Sequence, residues 1–117
     1  MGKFVKNDGT KVSLGTILFD GSTSNDFTLS DNIDNYEYLE IYYRCHGWID
    51  PKSTKVSLKV GKGCHLSDVH TDGKTVTIYE MKLNFNGKNC SVTGCTKVVG
   101  STYLTGVEGT VYRVIGY

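Results

Sequence analysis

One stretch of ten residues, from Tyr36 to Cys45, constrains the fold more than any other part of the chain. Successive side chains of an extended strand point to opposite faces, and the two parities of this stretch differ in character. One parity is dominated by the apolar residues Leu39, Ile41 and Cys45. The other is aromatic and charged, and comprises Tyr36, Tyr38, Glu40, Tyr42 and Arg44. The pattern predicts a β-strand that buries its first face in a core and turns the tyrosines outward or into an interface.

The composition favours strands throughout the chain. Its 117 residues include 13 Thr, 12 Val, 8 Tyr and 14 Gly but no Ala and no Gln, so β-branched and aromatic residues outnumber strong helix formers. A chain of this length is sufficient for one domain. We therefore predict an all-β fold, an antiparallel, jelly-roll-like β-sandwich that spans residues 16–117. Residues 1–15 are polar and are expected to form an N-terminal arm or a first hairpin.

Alternation and turn residues divide the domain into about eight short strands. We expect them at 16–19, 27–29, 36–45, 55–60, 64–69, 75–85, 88–99 and 110–117. The dipeptide Asn86-Gly87 is the strongest hairpin signal, and it predicts that the strands on either side of it pair. The apolar parity changes within residues 75–85, which we interpret as a β-bulge near Ile78 and Tyr79. The Gly- and Thr-rich residues 100–109 are expected to form a loop.

The charges of the chain nearly balance. Lys and Arg number 13, Asp and Glu number 12, and the formal net charge is +1. This balance disfavours a nucleic-acid-binding protein, which typically has a strongly basic face, and also a polybasic membrane anchor. No apolar run approaches the ~20 residues that a membrane-spanning helix requires. We therefore expect neither nucleic acid binding nor membrane insertion.

The four cysteines are Cys45, Cys64, Cys90 and Cys95. They could supply a tetrahedral zinc site, with His46, His65 and His70 as further ligands, but the usual C-x2-C pairs are absent. They could instead form disulfides, with Cys90 and Cys95 closing a short loop. We favour a third interpretation, in which cysteines such as Cys45 are small buried apolar residues. No metal and no cofactor are therefore expected.

No arrangement of residues in the sequence indicates catalysis. The chain has no G-x-S-x-G or H-E-x-x-H motif and no glycine-rich phosphate loop. Two nearby carboxylates, Glu37 and Glu40, have opposite parity, so one strand cannot direct both into one cleft. Asp31 and Asp34 lack the regular spacing of the calcium ligands in an EF-hand. We therefore expect a protein that is not an enzyme.

Surface aromatic residues are the strongest candidates for function. Trp48, His46 and Asp50 fall within one loop, and Tyr42 lies at the end of the strand before it. Aromatic rings can stack on sugars while neighbouring polar groups bind hydroxyls, so these four residues are the candidate ligand-binding site. Tyr36 and Tyr38 are the candidate subunit interface. The alternatives are that the tyrosines merely cover a sheet face and that Trp48 closes the end of the sandwich.

Two segments of the chain resemble a known family. Residues 17–45 (ILFDGSTSNDFTLSDNIDNYEYLEIYYRC) and the closing residues 113–117 (RVIGY) are similar to the C-terminal domains of tail-fibre and minor structural proteins from phages and prophages of Gram-positive bacteria. A shorter segment, residues 36–41 (Tyr-Glu-Tyr-Leu-Glu-Ile), is similar to CUB domains. The four cysteines and the loop at 45–50 depart from the phage family.

The phage resemblance implies a virion protein. Its expected partners are further copies of itself in a homotrimer, other virion proteins and a bacterial cell-surface polysaccharide. Its expected role is attachment of the particle to the bacterial surface. The alternatives are a non-adsorbing structural or decoration protein of the virion and an extracellular CUB-like or carbohydrate-binding module.

Overall fold

Eleven strands and one short 3₁₀ turn make up the regular structure of the computed structural model, which describes residues 3–5, 11–47, 49–106 and 109–117. The strands are β1 (Lys3–Val5), β2 (Lys11–Ser13), β3 (Thr16–Thr23), β4 (Phe27–Thr28), β5 (Tyr38–Arg44), β6 (Lys52–Ser57), β7 (Gly63–Thr71), β8 (Val76–Asn86), β9 (Asn89–Val99), β10 (Thr102–Thr105) and β11 (Thr110–Gly116). The 3₁₀ turn is Ile33–Asn35. Within these ranges, no helix is long and apolar enough to cross a membrane.

The strands form two antiparallel sheets that pack face to face, which confirms the predicted β-sandwich. The first sheet has the order β3-β11-β5-β6. The second has the order β10-β9-β8-β7, and β4 pairs with β9 beside this path. The described part of the sandwich thus has nine strands rather than about eight. β1 and β2 pair with each other within the segment that was expected to be an arm or a first hairpin. The residues that connect these two strands lie outside the described ranges.

The core lies between the sheets and follows the predicted parity of β5. Leu39, Ile41 and Tyr43 are buried on β5, and Cys45 is buried directly after it. The facing residues of β8 are Tyr79, Met81, Leu83 and Phe85, all of which are buried. Full burial of such a side chain stabilises the fold by roughly 1.5–3 kcal/mol. The alternation of residues 36–45 was therefore a reliable guide to the inner face.

A bulge in β11 changes which of its residues face the core. Val111 pairs with Tyr43 and Arg113 pairs with Tyr42, so Tyr112 is an extra residue in the ladder. An extra residue reverses the alternation of the strand. As a result Val111 and Val114 are both buried, and Arg113 lies beside Tyr42 on the outer face.

The prediction of a bulge near Ile78 and Tyr79 is wrong, because the bulge of this sheet lies on the neighbouring strand β9. β8 pairs with β7 without interruption, and its apolar residues at 76 and 78 simply face outward. The irregularity lies in β9, where Glu80 pairs with Thr96 but Lys82 pairs with Thr93. Gly94, with φ of +59°, occupies this bulge. The sequence interpretation failed because it assumed that every apolar residue of β8 faces the core.

The predicted hairpin at Asn86-Gly87 is present, but its turn is shifted by one residue. Asn86 pairs with Asn89, so the two turn residues are Gly87 and Lys88. Gly87 has φ of +61°, and no described residue other than glycine has a positive φ. A positive φ at the first turn residue alone is typical of a type II′ turn, which fits the twist of paired strands.

Replacement of Gly87 by Val should lower the free energy of unfolding by about 1–2 kcal/mol, because a β-branched residue is strained at this φ. The site is otherwise open: an added Cβ would have only the Asn32 side chain, at 3.7 Å, within contact distance. Urea unfolding of the variant measures the change. Gly61→Val is the matched control, since Gly61 has no atom within 4 Å of an added Cβ and no positive φ. Equal stabilities of the two variants would contradict the turn assignment.

Two further segments differ from the sequence interpretation. Residues 100–109 were expected to form a loop, but residues 102–105 form β10, which pairs with β9. The strand expected at 55–60 begins earlier, at Lys52, and ends at Ser57, and Val60 is 91 % exposed. The first error missed a whole strand and the second misplaced the end of one. In both cases pairing with a neighbour decides the structure more than the local pattern does.

Candidate functional site: the tyrosine face of the first sheet

The outer face of the first sheet gathers aromatic and charged side chains from three adjacent strands. Glu40 lies opposite Lys55 of β6, and Tyr42 lies opposite Arg113 of β11. Directly opposed residues of paired strands share one face of the sheet. We define the tyrosine face as the outward side chains Tyr38, Glu40, Tyr42, Lys55, Arg113 and Tyr117.

The carboxylate of Glu40 organises this face by accepting two phenolic hydrogen bonds. The hydroxyl of Tyr42 donates to Glu40 Oε1 over 3.2 Å, and the hydroxyl of Tyr117 donates to the same oxygen over 3.3 Å. The bond to Glu40 raises the pKa of Tyr42, and burial together with Glu40 raises the pKa of Tyr117. Both phenols are therefore neutral donors at pH 7, and their rings are held in fixed orientations.

Cations cover the tyrosine rings. Lys55 Nζ lies 5.2 Å from the centre of the Tyr117 ring, and Arg113 Cζ lies 5.9 Å from that of Tyr42. Arg113 Nε also lies 3.4 Å from Asp20 Oδ1. Cation–π contacts at such exposed positions contribute about 0.5–1 kcal/mol each. The face therefore alternates positive, aromatic and negative groups without a large excess of either charge.

Tyr38 borders an open groove at the edge of the tyrosine face. The groove has a volume of about 360 Å³ and is lined by Tyr38, Lys55, Val56 and Ser57. Tyr38 is 42 % exposed, and its ring centre lies 6.4 Å from that of Tyr117. An exposed ring beside an ammonium group and a hydroxyl can bind a ligand that has both an apolar face and hydroxyl groups.

Tyr36 does not belong to the tyrosine face, although alternation placed it with Tyr38. Its hydroxyl donates to Asp31 Oδ2 over 2.8 Å, and its ring packs against the core. A Cβ at the buried Gly116 would lie only 2.6 Å from the Tyr36 ring. β5 begins at Tyr38, so the strand parity does not extend back to Tyr36. Of the two residues expected at a subunit interface, only Tyr38 is an outward residue of the sheet.

The loop after β5 turns His46 away from Tyr42. The His46 ring packs on Tyr79 of the second sheet, with ring centres 5.0 Å apart. Burial and the nearby cations Lys97 and Arg44 lower the pKa of His46, which is therefore neutral at pH 7. Asp50 is exposed in the loop, and Trp48 lies outside the described residues. Of the three candidate residues that the structure describes, only Tyr42 is part of the tyrosine face.

A buried carboxylate joins the two sheets beneath this loop. Asp68 of β7 is 4 % exposed. It accepts a hydrogen bond from the Cys45 backbone N–H at 2.9 Å, and its other oxygen lies 2.7 Å from Lys52 Nζ. Burial is the largest single effect and opposes the charge on Lys52, but the hydrogen bonds and charge attractions to Asp68 and Tyr43 together outweigh it and raise the pKa of Lys52. The pair ties β6 to β7 across the open side of the sandwich.

The cysteines are free thiols in this structure. Cys45 and Cys90 are 2 % and 1 % exposed, which confirms for these two the interpretation as buried apolar residues. Burial raises the pKa of both thiols to about 12, with a further contribution from Asp68 at Cys45, and burial raises the pKa of Cys64 to about 11. Among the side chains described, no group of three or more His, Cys, Asp and Glu could hold a metal ion.

Sequence reasoning missed three members of the tyrosine face, which are Lys55, Arg113 and Tyr117. Lys55 falls within the strand expected at 55–60, but strand pairing was needed to place it beside Glu40. The bulge at Tyr112 reverses the alternation of β11, so the sequence pattern did not place Arg113 on this face.

Neither the models of known protein families nor the curated proteins searched show a match to this chain.

Proposed function

We propose that this protein is a virion protein of a bacteriophage, a fibre or receptor-binding module that attaches the particle to a glycan on the bacterial surface. The resemblance of residues 17–45 and 113–117 to phage structural proteins supports the virion assignment. The single structural observation that carries the binding role is the exposed Tyr38 ring, which borders a groove with Lys55 on the tyrosine face. The proposed role is binding without catalysis.

The Tyr38 ring offers an apolar surface on which the hydrogen-bearing face of a sugar ring can pack. Lys55 and Ser57 line the same groove and supply donors for sugar hydroxyls or for anionic substituents of the glycan. The site is pre-ordered, because the neighbouring Tyr117 ring is held by Glu40 and lies beneath Lys55. A rigid aromatic anchor has little conformational entropy to lose when the ligand binds.

Replacement of Tyr38 by Ala should weaken adsorption by about 30-fold, because loss of a central aromatic anchor costs about 2 kcal/mol and 1.4 kcal/mol is tenfold. Tyr38 is 42 % exposed, so the fold should be retained. The measurement is binding of the labelled protein to cell walls purified from a panel of Gram-positive bacteria. Circular dichroism of each variant verifies the fold.

Two variants serve as controls for this test. Tyr38→Phe keeps the ring and should retain most of the binding, since stacking rather than the hydroxyl provides the anchor. Lys74→Ala removes an exposed charge in the turn between β7 and β8, outside the tyrosine face, and should bind as the unchanged protein does. Undiminished adsorption of Tyr38→Ala would refute the tyrosine face as the receptor site.

A non-adsorbing structural role in the virion is the second candidate. It is favoured by the exposed apolar side chains of the second sheet, among them Val69 and Ile78, which fit a protein contact rather than a sugar. The two candidates differ in one observation. A structural protein would show no saturable binding to any cell wall of the panel, whatever residue occupies position 38.

A further inference from the structure

Arg44 and Tyr112 form a cation–π contact at the end of β5 that lies furthest from Tyr38. Arg44 has the same outward parity on β5 as Tyr38 and Tyr42. Its Cζ lies 5.6 Å from the centre of the Tyr112 ring. Tyr112 is the extra residue of the β11 bulge, next to Arg113, so the bulge brings this ring beside Arg44. We name Arg44 and Tyr112 the distal pair.

The guanidinium of Arg44 has no polar partner among the residues that the structure describes. Its buried Nε makes no hydrogen bond, and none of the ion pairs within the described ranges involves Arg44. A buried donor that lacks an acceptor is unfavourable, whereas a guanidinium forms strong, directed hydrogen bonds when a ligand supplies oxygen atoms. Because the Arg44 side chain as a whole is only half-buried, a ligand can approach it.

The distal pair and the Tyr38 groove lie on one line along β5. Arg44 is six positions after Tyr38, a separation of roughly 20 Å at the rise of an extended strand. Glu40 and Tyr42 lie between the two ends on the same face, and the hydrogen bond from the Tyr42 hydroxyl to Glu40 fixes the intervening ring. The line is several times longer than a single sugar ring.

We propose that the distal pair is a second subsite for the glycan, so that the protein binds a linear stretch of several sugar units along β5 rather than one terminal sugar. The inference rests on the proposed function of the Tyr38 groove. A terminal sugar fills the groove alone and leaves Arg44 without an acceptor. A chain along β5 reaches both ends, and its second contact forms at the high effective concentration of a ligand that is already bound.

The test is the dependence of affinity on the length of the ligand, measured by isothermal titration calorimetry. The probes are soluble oligosaccharides released from the same panel of cell walls and separated by chain length. Fragments that span both ends of β5 should bind at least about 10-fold more tightly than the shortest fragments, because they make the second contact within one complex. Equal affinity at every length would overturn the second subsite.

Two variants assign the gain in affinity to the distal pair. Arg44→Met removes the guanidinium but keeps a long stem, and should bind the shortest fragments normally while losing the additional affinity of the long ones. Tyr112→Leu, which removes the ring beside the guanidinium, should have the same effect. Circular dichroism verifies the fold of both variants. The full gain in both variants would contradict the proposed subsite.

Lys74→Met is the matched control for loss of one positive charge. Lys74 is exposed in the turn after β7, outside the tyrosine face, so this variant should show the same dependence on length as the unchanged protein. A loss of the gain in Lys74→Met as large as that in Arg44→Met would show that the effect comes from overall charge, and would also overturn the subsite.

Tyr38→Ala separates this inference from the proposed function. It should weaken binding of fragments of every length, whereas the two distal variants should weaken only the long ones. An unchanged protein that adsorbs to cell walls but binds short and long fragments equally would contradict the second subsite and leave the Tyr38 groove in place. An unchanged protein that binds no fragment and no cell wall would contradict the proposed function, and the inference with it.

Discussion

Replacing Lys52 by Met should lower the free energy of unfolding by about 2 kcal/mol, because it leaves the Asp68 carboxylate charged and buried without its cation. Loss of one partner from a fully buried ion pair costs about 3–5 kcal/mol. We expect less here since Lys52 is 48 % exposed and water can approach the carboxylate once the ammonium is gone. Asp68 would keep the hydrogen bond from the backbone N–H of Cys45. Urea unfolding at pH 7 measures the loss.

A double-mutant cycle isolates the ion pair from other effects of the substitution. Asp68→Asn keeps a side-chain oxygen for the Cys45 N–H but removes the charge. Added to Lys52→Met, it should therefore restore at least half of the lost stability. Lys55→Met is the control for loss of a lysine on the same strand, and should cost less than 1 kcal/mol at its exposed site. A Lys52→Met protein as stable as the control would show that the pair does not stabilise the fold.

The protein should unfold at alkaline pH, and its buried thiols should determine where the transition begins. A thiol in the unfolded chain has a pKa of 9.0, whereas burial raises the pKa of Cys45 and Cys90 to about 12 in the folded protein. Because the folded values are the higher ones, stability is complete below pH 9 and falls as the pH rises toward 12. At about pH 11 the two thiols together remove about 5 kcal/mol, comparable to the whole stability of a small domain.

Thermal unfolding between pH 8 and 11, in the presence of a phosphine reductant, measures this effect. Cys45→Ala and Cys90→Ala should each begin with a modest loss of stability at pH 8 and then lose less as the pH rises. Cys95→Ala, which removes a thiol outside the fully buried core, should keep the slope of the unchanged protein. A melting temperature that stays constant from pH 8 to 11 would show that the buried thiols are not linked to unfolding. Lys52 acts in the same direction, since its raised pKa makes its contribution disappear at high pH.

Patterns of alternation predicted the fold well wherever one face of a strand is buried. The parity of β5 identified Leu39 and Ile41 as core residues because a strand buries every second side chain. The same reasoning failed on β8, where Ile78 is apolar but faces outward. Hydrophobicity alone cannot distinguish a core residue from one on an exposed patch. For this reason the sequence predicted a bulge near Ile78 and Tyr79 that β8 does not have. Gly94 carries the actual bulge, and no pattern in β9 marks it.

The candidate site was predicted only in part, because it is a property of strand pairing. Tyr38, Glu40 and Tyr42 share one strand, and their parity was sufficient to place them together. Lys55 and Tyr117 join them from other strands, and no local pattern contains that information. Proximity along the chain was misleading for His46, whose ring turns to Tyr79 of the opposite sheet. Sequence neighbours around a loop need not share a surface.

The location of Asp68 also bears on the solubility of the protein. β7 is an edge strand of nine residues, and it contains none of the Pro, Lys or Arg residues that commonly protect such edges. Unprotected edges can recruit strands from other molecules and extend into fibrils. A strand added beside β7 would bring more chain close to Lys52, whose side chain is 48 % exposed, and would remove water from the ion pair at a cost in free energy. The inward-facing charge therefore opposes edge-to-edge aggregation.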